Sequence, residues 1–417
     1  MKKILLATTH LSMAAGFAAA DVAVSGSAKM GVVSTDGTAA FKHNVVIKFK
    51  GTGTTDGGLA FGGSVDADDS IAAEAGTKGT AFISGAFGKI TMGAVDSGDG
   101  ASVGQLAAVG YTSLSSGNSI SYAADGSALA GLSGTQTDAG GAKVLYTYSA
   151  GALTINASTA QLSPAAGGAT AYGIGGSYTT GGLTMAVGYG SVTGGTMTGV
   201  KAYDSAQAAV AAVAFVNGVS AGSSAIVAAP AAWYETSALD ASVTDVSLSA
   251  TYVMDNTSIK AIYQIKTLDA TAAARTDVTP VVSVISTAGV VTTPAIGQVH
   301  GHGAIDLSTK ATSMGLSVVQ KMDALSLTAY GINTTIDADA DLSADNPTVS
   351  RYGIGFAYNL GGGATVAGGW ATVDAMIPAV AAADPSGLSA SNVGLIQKST
   401  LTSVSHDQFD LGLNFSF

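Results

Sequence analysis

The last eleven residues, Asp407–Phe417, read DQFDLGLNFSF and alternate throughout. Phe409, Leu411, Leu413, Phe415 and Phe417 take every second position, with Gln408, Asp410, Gly412, Asn414 and Ser416 between them. Side chains alternate across a strand, so this stretch has one apolar and one polar face. A soluble sandwich would set the apolar face on a second sheet. A transmembrane barrel would set it in lipid and leave the terminal aromatic in an interfacial girdle. The remainder of the chain decides between them, according to whether it repeats the pattern at membrane-spanning length.

It does so sixteen times, from Val22–Val33 and Phe41–Lys50 to Ala364–Ala371 and Val404–Phe417. Most segments approach the ~9–11 tilted residues that cross a bilayer. The connections alternate between short and long. Short ones such as Ala150–Gly151, Asp255–Asn256 and Lys321–Asp323 are rich in Gly, Asn and Asp, which accept the positive φ of tight turns. Long ones include 191–244, 267–309, 333–349 and 372–403. An even number of antiparallel strands, with short turns at one rim and long loops at the other, predicts an all-β, 16-stranded antiparallel transmembrane β-barrel. Its turns and both termini would be periplasmic and its long loops extracellular.

Charge placement agrees. In Thr257–Lys266, Ile259, Ala261, Tyr263 and Ile265 oppose Lys260, Gln264 and Lys266, with Ile262 the one exception. A lysine facing lipid at the midplane would cost ~2–4 kcal/mol, so these lysines face a wet lumen. Tyr148, Tyr178, Tyr252 and Tyr358 fall beside short turns, where a periplasmic aromatic belt would lie.

Met1–Ala20 reads as a secretory signal peptide: Lys2 and Lys3, an apolar run, then Ala18–Ala20 as a cleavage site. Residues 21–417 are then one barrel domain. Removing Lys2 and Lys3 leaves 15 basic against 28 acidic residues, a net charge of −13. That balance excludes nucleic acid as a partner. Cysteine is absent, which excludes disulfides, thiolate metal sites and cysteine nucleophiles. The longest apolar run after the signal, Ala208–Val216, is too short for a membrane helix. Gly100–Gly104 spells GASVG but lacks the strand–turn–helix setting and the histidine of a nucleophile elbow. His300 and His302 have no third ligand, so they do not define a metal site.

Two paired stretches carry a family likeness. KFKGTGTTDGGLAFGGSV at 48–65 is followed by GTAFISGAFGKITMG at 79–93. KVLYTYSAGALTINAS at 143–158 and RYGIGFAYNLGGGATVAGGWA at 351–371 extend it. These resemble porins of the Rhodobacter type, and the terminal strand resembles the insertion signal of bacterial outer-membrane proteins. The likeness fades over 191–244, 267–309 and 372–403, which read as expanded loops. It implies a homotrimeric general diffusion porin of the Gram-negative outer membrane, in contact with lipid and lipopolysaccharide, that passes small hydrophilic solutes. It also implies that the third loop, 94–141, folds into the lumen as a constriction.

On that reading the loop supplies an acidic side through Asp96, Asp99, Asp125 and Asp138. The wall supplies a basic side through Lys29, Lys42, Lys48 and Lys50. With the acidic balance, the expectation is weak cation selectivity. Calcium on acidic loops is a further family trait. Asp337, Asp339 and Asp341 are its candidates here, although Leu342 and Thr348 stand where an EF-hand needs Gly and Glu. No other cofactor and no catalytic residue is expected. The competing readings are a plugged, structural or adhesive barrel and an outer-membrane barrel enzyme.

Overall fold

An unpaired sheet edge in hydrocarbon costs several kcal/mol per backbone group. This chain removes the edge by closing its sheet into a ring. The structure, a computed structural model, describes residues 21–68, 79–114, 117–125, 143–161, 170–202, 234–272, 284–285, 291–293, 305–338, 348–378 and 401–417. The signal-peptide reading of residues 1–20 lies outside them.

The strands in chain order are β1 (Asp21–Thr35), β2 (Thr38–Thr54), β3 (Ala60–Asp68), β4 (Thr80–Gly85), β5 (Gly88–Gly93), β6 (Lys143–Ala150), β7 (Leu153–Gln161) and β8 (Thr170–Thr180). They continue as β9 (Leu183–Ala202), β10 (Tyr234–Met254), β11 (Thr257–Ala272), β12 (Val284–Ile285), β13 (Val291–Thr293) and β14 (Ile305–Met322). The last four are β15 (Leu325–Ala338), β16 (Thr348–Gly361), β17 (Ala364–Pro378) and β18 (Leu401–Ser416). Strands β12 and β13 form a separate small pair, and the other sixteen make a closed antiparallel barrel. Each pairs with its sequence neighbour in the ring, and β1 closes on β18. Asp255 and Asp323, at φ 47° and 49°, turn β10 into β11 and β14 into β15.

All sixteen segments read from the sequence fall on barrel strands. Several strands run further toward the long-loop rim than the alternation suggested. β9 continues to Ala202 and β10 begins at Tyr234, so part of the expanded loop 191–244 is wall. Asp337 likewise lies on β15 rather than in a loop.

The ring seam is tied at both ends. At the short-turn rim, Phe417 and Gly26 exchange backbone hydrogen bonds of 2.6 and 2.9 Å, and the Phe417 ring lies where a Cβ on Gly26 would be. At the other rim, Asp407 N–H donates to Asp36 Oδ1, and His406 Nδ1 lies 2.8 Å from Asp36 Oδ2. The His406 contact holds the Asp36 carboxyl below its ordinary range, and the Asp407 amide acts the same way.

The outer face follows the parity read from the sequence. Val45, Phe49, Leu248, Ile259, Met314, Leu327, Ile354 and Leu411 are exposed on it. Tyr148, Tyr178, Tyr252 and Tyr358 line the short-turn rim, also exposed. The wall is uneven in height. β4 and β5 have six residues each, whereas β9 has 20 and β10 has 21. At ~3.3 Å per residue and a tilt near 40°, six residues rise only ~15 Å, against an apolar band ~25 Å tall. Twenty-one rise ~50 Å on the same reckoning.

The apolar core lies inside the ring. Val103, Leu106, Val109, Leu114, Ile120 and Tyr122 of the third loop pack with Ala186, Ile262, Tyr330, Ile332 and Ala371 of the wall. This accounts for Ile262, which is inward because the loop covers it.

Candidate functional site

The third loop is described over 94–114 and 117–125, and it lies along the inner wall as an outward and a return pass. The outward pass opens with a short helix, α1 (Gly98–Val103), capped by Ser97, whose side chain accepts from Gly100 N–H. α1 contacts β7, β8, β9 and β10. At its C-terminal end the Val103 carbonyl accepts from Lys260 Nζ at 2.6 Å, a cation where the helix dipole favours one. Beyond it, Ala107 N–H donates to Ser317 on β14, and Gly110 sits against Gly369 on β17. Thr112 gives both its N–H (2.8 Å) and its hydroxyl (2.7 Å) to Asp410 on β18. Tyr111 fits against Gly31 on β1 and Gly412 on β18.

The return pass is held to the wall in the same way. Arg351 donates to Ser119 O, Lys266 to Ser121 Oγ, and Ala123 N–H to Asp245 Oδ1 at 2.7 Å. Asp125 accepts from Ser97 N–H and pairs with Lys143 at 3.3 Å. The two passes are joined by Gln105, which hydrogen-bonds both ways with Ile120, by Asn118 to Leu106 O, and by Tyr122 to Gly104 O. The two passes therefore run together from β6 round to β16, and the outward pass alone reaches β17, β18 and β1. Among the described residues none of these anchors falls on β2 to β5.

Lys29, Lys42, Lys48 and Lys50 all belong to the sector around β1 and β2, on the inward parity. Lys42, Lys48 and Lys50 are exposed and Lys29 is half-buried. Lys48 lies 3.4 Å from Asp66 on β3, and Lys89 sits 4.5 Å above the Phe82 ring. The acidic residues named from the sequence divide. Asp96 is exposed, and its carboxyl is raised by partial burial and by the Asp125 charge, with Lys143 opposing. Asp125 is committed to Ser97 and Lys143. Asp99 departs from the expected acidic side. It is fully buried and faces the wall at Gly173, Gly188 and Gly190, because a helix turn at Gly98–Val103 rotates it away from the lumen. Asp138 lies outside the described residues.

Asp337 is opposite Lys310 in strand register, while Asp339 and Asp341 lie outside the described residues. Among the described residues no group of three or more His, Asp or Glu could hold a metal ion. Ser102 of the GASVG stretch sits on α1, donating to Gly98 O and accepting from Asn156.

The wall residues Asp245, Gln264, Lys266, Arg351 and Asp410, which hold the loop, did not stand out in the sequence. Their signal was polarity on the inward parity, which a wet lumen explains equally well. Glycines at alternate inward positions, Gly188 and Gly190, were the better clue, since they mark close approach of another segment.

Comparisons with known proteins agree with this architecture. The family model for Gram-negative porins matches residues 7–283. A porin of Rhodobacter capsulatus is 32% identical over 365 residues, covering 85% of this chain and 95% of that protein. A porin structure refined at 1.8 Å resolution superposes with a TM-score of 0.57 at 27% identity, covering 95% of this chain and all of the other. OmpT of Vibrio cholerae, in its trimer form, shares the fold with a TM-score of 0.58 at 14% identity, over 95% of this chain and 99% of that one. A closed sixteen-stranded barrel with lysines on its inner wall, matched in sequence and in shape, places this chain in the Gram-negative porin family, whose members are diffusion channels of the outer membrane.

Proposed function

We propose that small hydrophilic solutes and ions cross this porin through a crescent between the double-layered loop and the lysine-bearing sector of β1 and β2. The observation that carries this reading is the one-sided loop: among the described residues its anchors run from β6 round to β1, and none falls on β2 to β5. Segment 94–141 then acts as the constriction and residues 1–20 as the export signal. Single-channel recording in a planar lipid bilayer tests it. Stable open steps are expected, and a silent protein would favour a plugged or structural barrel. Passive transport rather than catalysis is the reading, since Ser102 is engaged by Gly98 and Asn156 and, among the described residues, no histidine accompanies it.

The ion preference follows from the same geometry. Lys29, Lys42, Lys48 and Lys50 set one side positive, and among the described residues Asp96 is the exposed carboxylate on the loop side. The net charge of −13 over residues 21–417 enriches cations near the mouths. We therefore assign weak cation selectivity, which fades as salt shortens the Debye length to ~8 Å and below. Asp96→Asn should move the zero-current potential in a KCl gradient toward anions. Asp99→Asn at pH 6 should move it much less, because Asp99 is buried. An anion-selective native channel, or equal shifts in both variants, would defeat the assignment and leave the channel reading intact.

The assembly we propose is a homotrimer, in keeping with the trimer form of the structurally similar OmpT. β4 and β5 are too low for the apolar band, yet Phe61, Val65, Ile83, Ile90 and Met92 on this side are exposed and apolar. A second copy of the chain would cover this low wall, whereas the tall side meets lipid and lipopolysaccharide. A detergent-corrected mass of one chain would count against it.

A further inference from the structure

The Asp99 carboxyl occupies a slot built from three glycines on the inner faces of β8 and β9. A Cβ on Gly173 would overlap Asp99 Oδ1, and one on Gly188 would lie 2.9 Å from the Asp99 Cα. A Cβ on Gly190 would lie 2.5 Å from both Asp99 Oδ2 and Asp245 Oδ1, so those two oxygens are no more than about 5 Å apart. Asp245 is well served: Ala123 N–H, Ser247 Oγ and Gln264 Nε2 all donate to it. Asp99 is not. It is fully buried, and neither of its oxygens has a well-formed hydrogen bond among the described residues. A carboxylate in that position would be a second buried negative charge facing a saturated one, which is costly without a donor.

We propose that Asp99 is a proton-operated latch: neutral, it seats α1 in the glycine slot against β8 and β9, and ionised, it lets α1 leave the wall and enter the passage. Asp99 is thus a positioning residue for the constriction, and the inference rests on the loop serving as that constriction. The titratable groups facing it are Asp245 on β10, Lys266 on β11, and Tyr122 and Asp125 on the loop itself. Burial raises the Asp99 carboxyl to about 7, against a relief from Ser97, and the Asp245 and Asp125 charges add to the rise.

The sign follows from linkage. The seated form holds its proton up to about 7, whereas a released, hydrated Asp99 would lose it near 3.8. The preference for the seated form is full below the lower value. It falls about tenfold per pH unit between the two values and stays at its minimum above the upper one. The latch is tight in acid and loosest above neutrality.

The absence of native cysteine allows a readout independent of conduction. Val103→Cys places one thiol on α1 at a position that is 1% exposed when seated. Its maleimide labelling rate is compared, at pH 5 and pH 8, with the same thiol in an Asp99→Asn background, which cancels the titration of the thiol itself. Both variants are first checked for a folded barrel by their heat-dependent gel shift. The expected ratio is about tenfold at pH 5 and rises about a further hundredfold by pH 8. A ratio that stays flat between the two pH values would overturn the latch. In parallel recordings, brief partial closures should increase at pH 8 in the native channel and not in Asp99→Asn. A silent channel with pH-dependent labelling would reject the conduction reading and keep the latch, and open channels with flat labelling would do the reverse.

Discussion

Deleting Phe417 should cut the yield of folded barrel by more than about half, since its loss leaves unpaired backbone at the ring seam. The residue exchanges two backbone hydrogen bonds with Gly26, one as donor and one as acceptor, and lays its ring over that glycine. These are the last pairings between β1 and β18, so their loss frays the one seam that joins the two ends of the chain. Phe417→Leu keeps the backbone pairs and should recover most of the yield, whereas Gly26→Ile should repeat the defect from the other strand. The measurement is the fraction that migrates as a compact species on an unheated detergent gel. Normal assembly of the truncated chain would show that the terminal residue does not close the ring.

Asp410→Ala should free the far end of the constriction loop without opening the barrel. Asp410 is fully buried and accepts from both the amide and the hydroxyl of Thr112. Removing it strands both donors, at a cost of about 2–3 kcal/mol to the seated loop. Gly110 beside it has φ 78°, and a Cβ there would overlap the Asp410 carboxyl. Gly110→Ala should therefore give the same phenotype from the loop side. Both variants should show noisier single-channel currents and admit larger neutral sugars, with the folded fraction unchanged. Unaltered noise and exclusion limit in both would mean that the loop is held elsewhere.

The barrel was legible because its rule is local. Period-two alternation runs through the strands with few breaks, and Asp255 and Gly151 mark turns by their own backbone preferences. Strand number, parity and the short-turn rim could all be read from one residue and its near neighbours. The loop could not be read that way. Thr112 meets Asp410 across 298 positions, and Lys260 meets Val103 across 157. No local pattern encodes such meetings. Asp99 shows the limit most directly. Its charge suggested an acidic lumen, but one turn of α1 points it into glycines whose purpose is visible only from the other side. Ile262 is the converse: it broke the alternation, and the break marked where the loop covers the wall.

The unequal height of the wall also decides where this porin can change. On the low side, β4 and β5 have no length to spare, so a deleted residue would pull polar backbone into the band. On the tall side, β9 and β10 rise ~50 Å, about twice the height of the band, so much of them stands as a parapet above the cell surface. Insertions along that parapet lengthen a connection already outside the hydrocarbon, and loop lengthening costs little. The parapet is what antibodies, phages and neighbouring cells would meet, and it is the edge on which a foreign peptide could be displayed while the passage below stays as it is.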